Sequence, residues 1–255
     1  MNEHTPTAAV LIIGNEILSG RTQDANVTHI AKKLGAVGIR LAEVRVVPDS
    51  EDEIAGAVNA LRACYTYVLT TGGIGPTHDD ITTDSIAKAY GVAVSEHPEA
   101  RRRLMAHYAT SNTTVNAARL RMARIPDGAV LINNGVSGAP GFYIGNVYVM
   151  AGVPNIMQAM LEAVLPTLQH GPAYLSQSVS GYVTESMVAE GLASIAVRYP
   201  QLDIGSYPWQ HEERWGTTLV ARGTDQAAIK AAVEEILALV KSYDSAPVID
   251  ISPKI

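Results

Sequence analysis

The stretch Tyr65–Asp80, YTYVLTTGGIGPTHDD, decides the reading of this chain. Its first part, Tyr65 to Thr70, has the apolar and β-branched character of a strand buried on both faces, as strands of a parallel sheet are. Gly72, Gly73 and Gly75 follow at once. Glycines at this point let the backbone take positive φ and approach a ligand closely. Consecutive amides in such a turn make a nest for an anion, and the start of the next helix adds positive potential. Thr71 and Thr77 add hydroxyls, and Asp79 and Asp80 come next. Two adjacent carboxylates beside a phosphate cradle would repel the ligand. A divalent cation such as Mg²⁺ resolves that conflict, because hard cations favour carboxylate together with phosphate oxygen. The same spacing also makes an ordinary strand-to-helix turn, with Asp80 as N-cap and Asp79 solvated. Spacing alone does not choose between the two.

Upstream, Ala8–Gly14 (AAVLIIG) is a second buried strand, and Ile39 to Val47 is another, ended by Pro48. Between them Asp24 is placed to N-cap a helix through Leu34, with Ile30 and Leu34 on one face. Ser50 and Glu53 have capping-box spacing for a helix that turns Ile54, Val58 and Leu61 inward. Downstream, helices are expected from Asp80 to Tyr90 and from Pro98 to Tyr108, and the segment Asn133–Pro154 reads as loop, strand, loop. A helix from Pro154 to Leu165 closes a first domain, residues 1–168. Strands alternating with helices make this an α/β domain with a mostly parallel sheet. Residues 169–255 read as a small α+β module of β-α-β-β-α order, with Pro247 to Ile251 as a final edge strand. In that module PWQHEERW (Pro208–Trp215) separates two strands and carries both tryptophans.

Composition narrows the chemistry. The 255 residues are 47% hydrophobic and 17% charged, which is globular composition, with a formal charge of −6. That balance argues against a nucleic-acid binder, which needs a basic face. Arg101, Arg102 and Arg103 read as a solvated helix face. The single cysteine, Cys64, excludes an internal disulfide and a cysteine cluster, and reads as a small buried hydrophobe. The opening MNEHTPT has no basic region, and the apolar run after it is too short for a signal peptide or a membrane span. A soluble cytoplasmic protein without a membrane partner is expected.

No Lys-Ser/Thr follows the glycines, so the loop is not of the NTPase type, and G-x-G-x-x-G is absent after the first strand. No G-x-S-x-G elbow or Ser/His/Asp spacing stands out. Beyond the glycine loop, Glu16, Asp24 and Asn26 sit after the first strand, where they would reach the same site. Taken singly, Asp24 reads as a helix cap and Glu16 as solvent-facing. His78 reads as an exposed histidine or as a metal ligand or base beside the carboxylates.

The order GNEIL-x-G, D-x-N, TTGGIGPT-x-DD-x-T, APGF and GVP resembles the molybdopterin-binding domain family with the MoaB/Mog fold. The resemblance runs from Ala8 to Leu168. It is similar in particular to the N-terminal part of the competence/damage-inducible protein A group and to the molybdopterin-binding-like region of eukaryotic FAD synthases. The module that follows also looks like the one in that branch. The resemblance implies a three-layer α/β/α fold and a metal-dependent pyrophosphatase of ADP-ribose or FAD type. The alternative it implies is a molybdopterin or nucleotide binder without turnover, or a molybdopterin adenylyltransferase of molybdenum-cofactor biosynthesis. Its ligand would be a small molecule carrying a pyrophosphate or a pterin phosphate, and its state a homo-oligomer. By motif position, Thr71, Gly72, Gly73, Gly75 and Thr77 would hold phosphate. Asp79 and Asp80 would be catalytic and would position Mg²⁺ or another divalent ion, Co²⁺ or Ni²⁺. Glu16, Asp24 and Asn26 would come from the first loop, and Pro140, Gly141, Gly152 and Pro154 would shape the far wall. One departure is visible: Asn155 is followed by Ile156, where this branch often carries a glutamate. Neither the nucleotide-deamidase nor the FAD-synthesising activity of longer relatives is expected.

Overall fold

The computed structural model describes residues 5–110 and 114–250. It forms two compact units, one made of residues up to Leu34 and Ile39–Gly171, the other of Gly35–Gly38 and the chain from Pro172.

The first unit runs β1 (Thr7–Ile13), α1 (Asn15–Leu18), α2 (Asn26–Ala36), β2 (Arg40–Val47), α3 (Glu51–Cys64), β3 (Tyr67–Thr71) and α4 (Thr82–Tyr90). It continues with β4 (Val94–Glu96), α5 (Pro98–Thr110), α6 (Ala117–Arg121), β5 (Arg124–Pro126), β6 (Val130–Ile132), β7 (Gly141–Ile144), β8 (Val147–Met150) and α7 (Pro154–Val164). The main sheet has the order β2-β1-β3-β8-β7-β6. β2, β1, β3 and β8 are mutually parallel, while β7 and β6 return antiparallel. β4 and β5 pair by themselves.

β1 lies inside this sheet and is apolar on both faces for a simple reason: helices cover both. Ala9, Leu11 and Ile13 pack in one core with Ile54, Val58 and Leu61 of α3 and Ile86 of α4. The alternate residues Ala8, Val10 and Ile12 are buried as well. Ile30 and Leu34 of α2 and Met157, Met160, Leu161 and Val164 of α7 supply the buried apolar surface outside that first core. Lys33 and Glu162 form an ion pair at 2.5 Å that joins α2 to α7. Both side chains are exposed, so this pair marks adjacency more than stability. The result is an α/β/α layering, as the alternation of elements predicts.

Four local readings change. Ser50 precedes α3, but its side chain makes no capping hydrogen bond, so the capping box does not form. Asn133–Pro154 contains two strands, because Gly145, at φ 55°, turns β7 back on β8 and stacks Tyr143 on Tyr148. Asp80 is not the cap of α4, which begins at Thr82 after Ile81. Cys64 is exposed, because it is the last residue of α3, past the apolar face that ends at Leu61.

The second unit is β9 (Leu175–Gly181), α8 (Glu185–Arg198), β10 (Asp203–His211), β11 (Arg214–Gly223), α9 (Gln226–Lys241) and β12 (Val248–Asp250), with sheet order β10-β11-β9-β12. Val179, Leu219 and Ala221 face Val188 and Ile195 of α8 and Ile229, Ile236 and Val240 of α9. Asp225 caps α9, accepting from the amides of Ala227 and Ala228. The segment Pro208–His211 continues β10, with Trp209 paired to Gly216 and His211 to Arg214. The turn is only Glu212 and Glu213, with Glu212 at φ 54°. A two-residue hairpin turn needs positive φ, which sequence reading seeks at Gly or Asn, so the turn was hidden by its glutamates.

Candidate functional site

The parallel strands β1, β3 and β8 end together, and the loops leaving them enclose a cleft of about 610 Å³. Such strand ends are where an open α/β sheet places ligands. A smaller pocket of about 110 Å³ adjoins it beneath the first loop, sharing Glu16, Thr22, Gly72, Gly152 and Pro154.

The β3 loop is fixed by its own chemistry. Gly72 has φ 106°, and a Cβ there would run into the carbonyl oxygen of Ile13. Its amide donates to Met150 O at 3.2 Å, tying the loop to β8. Gly73 has φ 68°, with its would-be Cβ against Thr82 Oγ1. Thr82 is fully buried; its hydroxyl donates to Gly72 O at 3.0 Å and its amide to Gly73 O at 3.0 Å. Thr82 therefore locks both carbonyls, a role that residue-type spacing did not single out. The amides of Gly73, Ile74 and Gly75 donate to no acceptor among the described residues, and all three residues line the cleft. Unpaired backbone donors in a half-enclosed loop are a standing demand for acceptors.

The carboxylates divide. Asp80 lines the cleft, and its Oδ2 accepts from the Thr77 amide at 2.8 Å and the Thr77 hydroxyl at 2.5 Å. Asp80 thus closes the turn after Gly75 rather than starting the helix. Asp79 is exposed and lies outside the cleft lining, as do Thr77 and His78, whose side chain is 96% exposed. Glu16, on α1, lines both cavities. Among the described residues no group of three or more His, Cys, Asp or Glu side chains is placed to hold a metal ion. Asp80 Oδ1 is outside the bonds to Thr77, and Glu16 offers a second hard oxygen group. This donor set fits Mg²⁺ held jointly with ligand phosphate oxygens and water, and does not fit a cage of protein ligands alone.

The first loop mostly positions. Asp24 Oδ1 accepts from the amides of Asn26 at 3.1 Å and Val27 at 2.8 Å, so it caps α2. Asn26 is 4% exposed and its Nδ2 donates to Gly152 O at 2.8 Å, clipping the first loop to the β8 loop. Its Oδ1 has no partner, and the residue lines the smaller pocket together with buried Thr71. Buried acceptors are seldom left unpaired, so a donor from a ligand or water belongs there.

The far wall is apolar. Ala151, Val153, Pro154, Ile156 and Met160 line it, with Ala139, Met122 and Tyr108 opposite. Gly152 abuts Gly72: its would-be Cβ stands 3.3 Å from Gly72 Cα. Pro140 lines only a small depression beside the cleft, and Gly141 is buried where a Cβ would meet Val149 O. Asn134, which sequence reading missed, holds the wall's loop. It donates to Ser137 Oγ and Ala139 O and accepts from the Val136 amide at 2.9 Å. Arg101 pairs with Glu96, and Arg102 and Arg103 with Glu99; Arg101 and Arg102 are exposed, while Arg103 is half-buried with its Nη1 unpaired. No described helix is long and apolar enough to cross a membrane.

Comparison with known proteins places these features. Residues 9–170 match the family described as "Probable molybdopterin binding domain", and residues 173–247 match "FAD synthase, middle domain". A CinA-like protein of Desulfosudis oleivorans is 36% identical over 209 residues, covering 78% of this chain and 51% of that protein. The chain thus spans about half of that relative. A protein of Archaeoglobus fulgidus is 32% identical over 228 residues, 89% of this chain and 94% of its own length. Among solved structures, the protein CinA of unknown function from Thermoplasma acidophilum superposes with a TM-score of 0.58 at 34% identity. It covers 63% of this chain and 98% of its own.

Proposed function

The chain belongs to the molybdopterin-binding domain family, and from that premise we propose that it binds and hydrolyses a nucleotide pyrophosphate of ADP-ribose or FAD type with a divalent metal. The observation that carries this reading is the run of unpaired amides at Gly73, Ile74 and Gly75 in a cleft that Asp80 and an apolar wall also line. The amides suit anionic oxygens. The wall of Val153, Pro154, Ile156 and Met160 suits a flat heterocycle. Asp80 and Glu16 would hold the divalent ion, and Asp80 is kept in place by Thr77. When bound, that ion would neutralise the bridging phosphates and activate water. Asn26, by its unpaired carbonyl oxygen, would accept a hydrogen bond from the ligand.

The test is direct incubation with ADP-ribose or FAD and Mg²⁺, Co²⁺ or Ni²⁺. AMP release supports hydrolysis. A second reading, binding of molybdopterin or a nucleotide without turnover, draws on Ile156: the structure puts this apolar side chain in the cleft wall at the position where the resembling branch often has a carboxylate. Binding without AMP under every metal would favour it.

A further inference from the structure

The cleft presents two carboxylates, Glu16 and Asp80, and its lining contains no lysine, arginine or histidine. A diphosphate ester placed there with its divalent ion meets backbone dipoles but no positively charged side chain of the cleft itself. Beside the cleft, and sharing Ile74, Gly75, Asp80 and Met122 with it, is a small depression lined by Arg121 and Arg124. The two guanidinium groups differ. Arg124 is held by Asp84 through two hydrogen bonds, at 2.6 and 3.1 Å. Arg121 is half-buried and has no carboxylate or carbonyl partner among the described residues.

We infer that Arg121 is a ligand-binding residue that reaches the phosphate end of the ligand from the depression beside Gly75. This inference rests on the reading that the cleft takes a diphosphate ester. The local structure supports the placement. Asn116 caps α6 by accepting from the Arg119 amide at 2.9 Å, and Arg121 is the last residue of that helix. Met122, next in sequence, enters the cleft, and the Arg124–Asp84 pair ties the following strand to α4. Arg121 is therefore anchored on both sides while its own head group is left over. A guanidinium offers a planar fork of donors that matches phosphate oxygens, which a lysine does not reproduce. Arg124, already forked onto Asp84, has its charge matched by that carboxylate and serves to fix the depression.

The experiment measures binding rather than turnover. Full-length protein is titrated calorimetrically with ADP-ribose, inorganic pyrophosphate and adenosine, with Mg²⁺ and again in a chelator. R121A should weaken ADP-ribose and pyrophosphate binding by about tenfold or more, as loss of a charge-assisted hydrogen bond does. It should leave adenosine binding unchanged, and R121K should recover part of the loss. R102A removes the same charge from the outer face and should change nothing. If the parent protein binds ADP-ribose and R121A matches R102A, the assignment of Arg121 falls and the proposed function stands. If R121A weakens adenosine as much as pyrophosphate, the side chain shapes the pocket and the assignment falls too. If the parent binds none of the three probes, the ADP-ribose form of the proposed function falls, and this inference with it.

Discussion

The two walls of the cleft are built from opposite materials. The β3 wall is backbone: positive-φ glycines, free amides and one carboxylate held by a threonine. The β8 wall is side chain: Val153, Pro154, Ile156 and Met160, with the chain already turning into α7. They touch at Gly72 and Gly152, where the Gly72 backbone stands against the space a Gly152 side chain would take, while Ile13 O fills the space a Gly72 side chain would take. The difference teaches that one wall is set by geometry and the other by composition. Substitutions of the glycines should therefore act on stability, and substitutions of the side chains that face the cleft on activity and affinity.

The largest expected effect is Gly72→Ala. It combines a φ of 106° with a Cβ driven into Ile13 O. It should cost about 3 kcal/mol or more of stability in a urea melt, given the usual cost of such backbone strain plus displacement of a neighbouring strand. Gly152→Ala has no positive φ and meets Gly72 Cα at 3.3 Å, so its loss should be smaller, about 1 kcal/mol. Equal losses at the two positions would break the contrast.

Next come the adjacent aspartates. Asp80→Asn keeps an acceptor for Thr77 but removes the charge that faces the cleft. AMP release should fall on the order of a hundredfold, the scale of losing a charge-stabilising group, with the melting temperature little changed. Asp79→Asn, outside the cleft, should leave the rate within about threefold of the parent, the range of a group making no transition-state contact. On the apolar wall, Ile156→Ala should weaken nucleotide binding by about three- to tenfold, as lost apolar contact does, without altering the stability of the glycine loop.

The outer face gives the baseline. The Glu99 carboxyl is lowered to about 2 by hydrogen bonds from Arg102 and then Arg103. Its folded value lies below its ordinary one, so its stabilising contribution is present above about 4.5 and is lost as pH falls through about 2. A carboxyl ¹³C NMR titration should place its midpoint near 2. An ordinary midpoint would show that the arginine pairs do not persist in solution, and ligand binding should be indifferent to either result.

Much of this was legible in the residues. The β1 and β3 runs are apolar on both faces because helices cover both, and that is visible in the sequence as unbroken hydrophobicity. Gly72 and Gly73 announced their backbone, since no other residue takes those φ values so readily. What stayed hidden was division of labour. Asp79 and Asp80 are chemically identical in sequence, and only the turn closed by Thr77 aims one inward and one outward. Asp24 reads as either cap or ligand until its bonds to Asn26 and Val27 are seen. Thr82 is the last threonine of TTGGIGPT-x-DD-x-T and Asn134 stands in no motif, yet the role of neither is legible, because their work is to satisfy carbonyls and amides supplied by other segments. Arg121 was invisible for a related reason: an arginine draws notice only once its neighbours are known to be paired.

The central claim is that the amides of Gly73, Ile74 and Gly75 bind the ligand's phosphate oxygens. The direct measurement is a ¹H–¹⁵N NMR titration of the protein with ADP-ribose. The account predicts downfield shifts at these three amides, saturating together with binding. Saturable binding that leaves all three unmoved while other resonances shift would contradict it.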